Sequence, residues 1–153
     1  MGFLGLGGGI ANADSQTVNG TGDITRMVAD NGTNAVTTKV FGLGRPCGGA
    51  WYLHVDVTNR NGRLLYRAEG GCTSGEWHTG LYYTSTGVIE DATPVRCRNF
   101  SFAHSRATGA FRVEMPRGCL DHAPARIKVK ADGANYGTLT GGAAGPTRLL
   151  TRV

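Results

Sequence analysis

Residues 51–68 read WYLHVDVTNRNGRLLYRA, and this stretch decides the fold class. From Trp51 to Thr58 apolar and polar side chains alternate, with Trp51, Leu53, Val55 and Val57 on one side and Tyr52, His54 and Asp56 on the other. A period of two belongs to a half-buried strand and not to a helix. Asn61-Gly62 supplies the positive φ of a tight turn, and Leu64 to Ala68 returns as the partner strand. The Trp51 row is assigned to the core.

Outward from this hairpin the same period recurs. Asp23 to Ala29 and Asn34 to Phe41 are joined by Asp30-Asn31-Gly32-Thr33, again a turn sequence. Trp77 to Thr84 and Gly87 to Glu90 read as shorter strands. Pro94 to Ala103 and Phe111 to Met115 form a hairpin about Thr108-Gly109, with Phe111, Val113 and Met115 inward. Ala125 to Ala131 directs Ile127 and Val129 inward, and Leu149 to Val153 closes an edge. Eight or nine short strands with turns about every ten residues predict an all-β, antiparallel β-sandwich, Ig-like or jelly-roll-like, with Pro116 and Pro124 ending strands.

Composition agrees. The chain has 153 residues, of which 40% are hydrophobic and 18% charged, enough for one core, so 14–153 is read as a single domain. Its 25 glycines have no period of three, which excludes collagen and suits many turns. No stretch reaches the roughly 18 to 20 apolar residues of a membrane helix, so no transmembrane segment is expected. Residues 1–13, MGFLGLGGGIANA, carry no charge and end in an A-x-A pattern at Ala11-Asn12-Ala13. They are read as the remnant of a secretory signal peptide, with a flexible glycine-rich N-terminus as the alternative. They complete neither a phosphate-loop motif nor, with Leu6 at the sixth position, a myristoylation signal.

Four cysteines, Cys47, Cys72, Cys97 and Cys119, are widely spaced and contain no C-x-x-C, which favours two disulfides in an oxidising compartment over a zinc site. Three pairings exist. The sequential one, Cys47 with Cys72 and Cys97 with Cys119, brackets one expected hairpin per bond, each loop of about 22 to 26 residues being worth about 3 kcal/mol.

The segment Val95 to Val129 combines Cys97, the strand Phe111-Arg112-Val113-Glu114-Met115-Pro116-Arg117, Gly118-Cys119-Leu120, Pro124 and the strand Arg126-Ile127-Lys128-Val129. It resembles a group of secreted β-sandwich proteins of actinobacteria with a strand ending V-x-[VM]-P-R-x-C-L, then a Pro and a V-R-V strand. Ala125 and Asp121 depart from that pattern. The resemblance implies a secreted sandwich with a Cys97–Cys119 bond and assigns no catalytic residue or activity.

Catalysis finds little support in the residues. There is no G-x-S-x-G elbow, and serines such as Ser74 and Ser105 sit in turn sequences. Glu90 and Asp91 are neighbours, which a strand sends to opposite faces. Asp30-Asn31 lacks the alternating acids of a calcium loop, so no metal and no cofactor are expected. Two features suit binding instead. Trp77, Tyr82 and Tyr83 lie together in sequence beside Glu76 and His78, as a sugar-stacking cluster would. Charge supplies the other: the formal net charge is +5, and residues 92–130 gather most of the excess, including Arg112, Arg126, Lys128 and Lys130. The last three share one face of a strand. A secreted, non-enzymatic binding module for an anionic cell-wall polymer or polysaccharide is the reading, without specific nucleic-acid recognition. A protease inhibitor presenting the loop Gly118 to Pro124 and a small extracellular hydrolase are the alternatives.

Overall fold

The computed structural model describes residues 13–138 and 140–153. The expected signal remnant therefore lies outside the described residues except for Ala13, the first residue of the first strand. β1 (Ala13–Gly22), β2 (Arg26–Gly32) and β3 (Ala35–Phe41) form a meander. The hairpin that decided the fold class is β4 (Ala50–Thr58) and β5 (Leu64–Thr73), followed by β6 (Glu76–Tyr83) and the short β7 (Thr93–Pro94). β8 (Ser101–His104) pairs with β9 (Ala110–Pro116), and the chain ends through β10 (Arg126–Asn135), β11 (Gly142–Ala144) and β12 (Leu150–Thr151).

All these strand pairs are antiparallel and lie on one continuous path, β7-β6-β5-β4-β10-β11-β1-β2-β3-β9-β8, with β12 added to β10. The all-β class and both disulfides are as expected. The two separate sheets of a sandwich are not what is seen: one sheet curls into a half-barrel. β1 makes this continuity. Its residues Ala13 to Asn19 pair with β2, while Gly20 to Gly22 pair with β11. The crossing is crowded, since a Cβ at Gly20 would lie 2.1 Å from the Ile24 carbonyl oxygen and one at Gly142 would lie 2.4 Å from the Ile24 nitrogen. Only glycine lets three backbones approach so closely.

The curl brings both halves onto one core. Met27, Val36, Val40, Phe111, Val113 and Met115 enter from β2, β3 and β9, and Leu53, Val55, Val57, Tyr66, Ile127 and Val129 from β4, β5 and β10, all essentially without exposure. Trp77 on β6 bridges to the far half, its ring 5.2 Å from Phe111 and 6.1 Å from Phe102. Cys47–Cys72 spans the β4–β5 hairpin and Cys97–Cys119 the β8–β9 hairpin, with Cα separations of 5.4 and 5.5 Å. The Asn61-Gly62 and Thr108-Gly109 turns are present, with φ of 82° at Gly62 and 71° at Gly109.

Four expectations need correction. Trp51 is not in the core: the register with β10 slips between Ala134 and Asn135, so that Tyr52 faces Ala134 while Ala50 faces Asn135. Trp51 is the unpaired residue of this bulge and swings outward, 43% exposed. Gly87 to Glu90 is not a strand; Ile89–Asp91 forms a 3₁₀ turn, closed by the Thr86 hydroxyl donating to Asp91 Oδ2 at 2.8 Å. Pro94 to Ala103 is broken between β7 and β8, where Asn99 adopts a φ of 68° near the disulfide. Pro124 does not end a strand but precedes β10, whereas Pro116 does end β9.

Candidate functional site

β10 builds the first part of the site. Ile127 and Val129 are fully buried, so the period of two forces Arg126, Lys128 and Lys130 onto the outer side of the sheet, as the sequence predicts. Beside them on β4, Lys128 faces Thr58 and Lys130 faces Asp56. Asp56 does not neutralise the stripe. Its carboxylate, only 2% exposed, is taken by Arg67 on β5, which donates from Nε at 2.7 Å and from Nη2 at 3.0 Å in a bidentate fork. Among the described residues no carboxylate lies within ion-pair distance of Arg126, Lys128 or Lys130.

The stripe runs into a depression. Where the β4–β5 turn meets the start of β10, Asn59, Arg60, Asn61, Pro124, Ala125 and Arg126 line an open hollow of about 510 Å³. Asn59 holds the turn, its Oδ1 accepting from the Asn61 and Arg63 backbone N–H groups at 2.9 Å each. Arg60 and Arg126 both line this hollow, and guanidinium groups turned into it would be a donor set for an oxyanion, because each presents a planar fork that matches carboxylate, sulfate or phosphate. Arg60 carries no sequence signal of this role; only the hairpin brings it to Arg126.

Arg112 stands apart. It lies on the outer side of β9 in the other half of the sheet, opposite Lys39, and donates to Glu114 at 2.9 Å. The aromatic cluster expected from sequence also divides, because odd residues of β6 point inward and even ones outward. Trp77 packs against the core with its Nε1 buried and without a partner among the described residues. Tyr83 stacks on His122 at 4.3 Å and meets Tyr66 at 5.1 Å. Tyr82 alone of the three faces out.

Tyr82 faces a second hollow that the sequence reading did not find. It is a shallow trough of about 230 Å³ over β4, β5 and β6, lined among others by Tyr52, His54, Glu69, Gly71 and Gly80. Cross-strand register explains it. Asp132, His54, Glu69 and Gly80 form one row and Ala134, Tyr52, Gly71 and His78 the next, so the floor is bare at Gly71, while at Gly80 the Tyr82 ring lies over the backbone, 3.0 Å from where a Cβ would stand. His54 Nδ1 lies 3.6 Å from Asp132 Oδ2. Burial works to raise the Asp132 carboxyl, but the His54 ring beside it and the nearby Arg67 and Lys130 outweigh this and hold it below the ordinary range. Burial, with the Asp132 charge, pushes the Tyr52 phenol up, so its hydroxyl stays protonated. Beyond Tyr52, Trp51 stacks on Tyr136 with centroids 5.8 Å apart and planes at 26°.

The loop Gly118 to Pro124 is anchored from below. Leu120 is buried and the His122 N–H donates to the Tyr66 hydroxyl at 2.9 Å, leaving Asp121 and Pro124 exposed. No helix among the described residues is long and apolar enough to cross a membrane. No family model, curated protein or solved structure matches the chain.

Proposed function

We propose that the chain is a secreted, non-enzymatic binding module that holds an anionic polymer, an acidic polysaccharide or cell-wall polymer, on the outer side of β10. One observation carries this reading: Arg126, Lys128 and Lys130 form a line of cations with no carboxylate in ion-pair distance among the described residues, and the line ends at the hollow shared by Arg60 and Arg126. A linear polyanion engages such a line by displacing its own counterions, so affinity grows with each contact and falls with salt. The two disulfides support an oxidising compartment.

The test is retention of the full chain on immobilised polygalacturonate and dextran sulfate, with neutral dextran as the control. Retention at low salt on the two acidic matrices, with release as salt rises, is the expected result. Passage through all three without delay rejects the proposal.

A second reading, a small extracellular hydrolase, is favoured by His54 standing in register between the carboxylates of Asp132 and Glu69. It predicts new reducing ends when polysaccharide is incubated with the protein, and their loss in Glu69→Gln.

A further inference from the structure

The trough has the opposite chemistry to the stripe. Neither Lys nor Arg lines it; Glu69 does, and Asp132 stands against His54 at its border. An anionic ligand that suits Arg126 and Lys130 therefore finds no Lys or Arg on this lining. The trough also adjoins an aromatic pair that the core does not use: Trp51 is 43% and Tyr136 is 44% exposed, although they stack on each other. Tyr52 packs edge-on against Trp51 at 5.9 Å and continues this ridge to His54, 4.9 Å further on. Rigid exposed aromatic faces beside polar groups suit a ligand with an apolar face and a hydroxylated rim.

An extended peptide fits poorly. Its affinity in a sheet comes from main-chain hydrogen bonds at an edge, whereas the trough lies on the face of the sheet, over β4 and β5, which are paired on both sides. A pyranose needs only side chains. Its C–H face stacks on a ring, and its adjacent hydroxyls donate to a carboxylate.

We propose that this trough is a subsite for a neutral pyranose oligosaccharide, with sugar rings stacked on Trp51, Tyr52 and Tyr82 and hydroxyls donated to Glu69 and Asp132. It stands independently of the polyanion reading, because it uses different residues and requires no basic group.

Gly71 gives a test that spares the fold. A Cβ there would meet nothing within 4 Å, and the residue faces the trough, so Gly71→Val puts a strand-favouring side chain into open space in the site. Tryptophan fluorescence and calorimetric titrations with cellohexaose, mannohexaose and maltohexaose, with hexagalacturonate as the acidic control, read the outcome. At least one neutral hexasaccharide is expected to bind with an affinity insensitive to salt, and to lose about tenfold or more in both Gly71→Val and Trp51→Ala, about 1.4 kcal/mol. The Arg126→Ser, Lys128→Ser, Lys130→Ser protein should bind it as the native chain does. The proposal is overturned if none of the three neutral sugars binds, if Gly71→Val or Trp51→Ala keeps native affinity, or if binding is salt-sensitive and vanishes with the stripe. Failure of the polyanion reading shows separately, as loss of retention on the acidic matrices while neutral-sugar binding persists.

Discussion

On the inner side of β5 a Cβ at Gly70 would meet Trp77 Cζ2 at 2.5 Å and Phe102 Cζ at 2.7 Å, whereas one residue on, at Gly71, it would meet nothing within 4 Å. The two glycines are adjacent and chemically identical, yet one is small because rings from β6 and β8 close over it and the other leaves a hollow. The difference extends to the whole sheet. Its inner side is set by packing, where volume decides what is tolerated. Its outer side is set by charge and access, where the same change of volume costs little stability and alters what can bind.

The comparison breaks most visibly if the inner side is unbraced. Cys97→Ala with Cys119→Ala frees the segment that leads into Phe102, and should cost about 2–5 kcal/mol in denaturant unfolding. An unchanged midpoint would remove the disulfide from the account. The outer side has a buried charged exception, the Asp56–Arg67 fork. Asp56→Ala leaves Arg67 unpaired on a largely covered face and is expected to cost about 3 kcal/mol, whereas neutralising the exposed Lys130 beside it should shift stability by no more than about 0.5 kcal/mol.

The glycines themselves sharpen the contrast. Gly70→Val should lower the unfolding free energy by about 1–3 kcal/mol, as overpacking does, and Gly71→Val should stay within about 0.5 kcal/mol. Equal effects would mean that the two sides do not differ as described.

The smallest effect concerns pH. Asp14 accepts two bonds from Arg148, at 2.6 and 3.0 Å, and one from the Thr151 N–H at 2.8 Å, fastening the chain's end to β1. The Arg148 bond, followed by that from Thr151, lowers the Asp14 carboxyl from 3.8 to about 2. A depressed carboxyl contributes stability above its unfolded value, and that contribution is lost as pH falls from 3.8 through about 2. Thermal melts across this window should show a shallow acid-side decline that Arg148→Ala flattens.

Much of the inner side was legible in the sequence. Alternation from Leu53 to Val57 and from Phe111 to Met115 fixed which side chains face in, and turn residues at Gly62 and Gly109 fixed two hairpins. β1 was not legible, since its alternation involves Asp14, Gln16 and a single Val18, whose partners are polar groups far along the chain such as Arg148. β11 is only glycine and alanine. Of the candidate site, the stripe on β10 follows from period two alone. The trough does not, because it arises from register across three strands and from side chains that are missing at Gly71 and Gly80. Trp51 misled for a related reason: it is the extra residue of a β4 bulge that appears only in the pairing with Ala134 and Asn135 of β10, far along the chain, and so leaves no mark in the residues around the tryptophan.

The central claim is that the cations of β10 hold a polyanion, and the slope of log affinity against log salt tests it most directly. Titration of dextran sulfate into the native protein and into Arg126→Ser, Lys128→Ser, Lys130→Ser, at a series of salt concentrations, gives both slopes. The native slope should be steeply negative, and the variant should bind more weakly with a slope shallower by about 2 to 3, close to one for each contact removed, while its melting temperature stays near native. A variant that keeps the native affinity and the native slope would contradict the account.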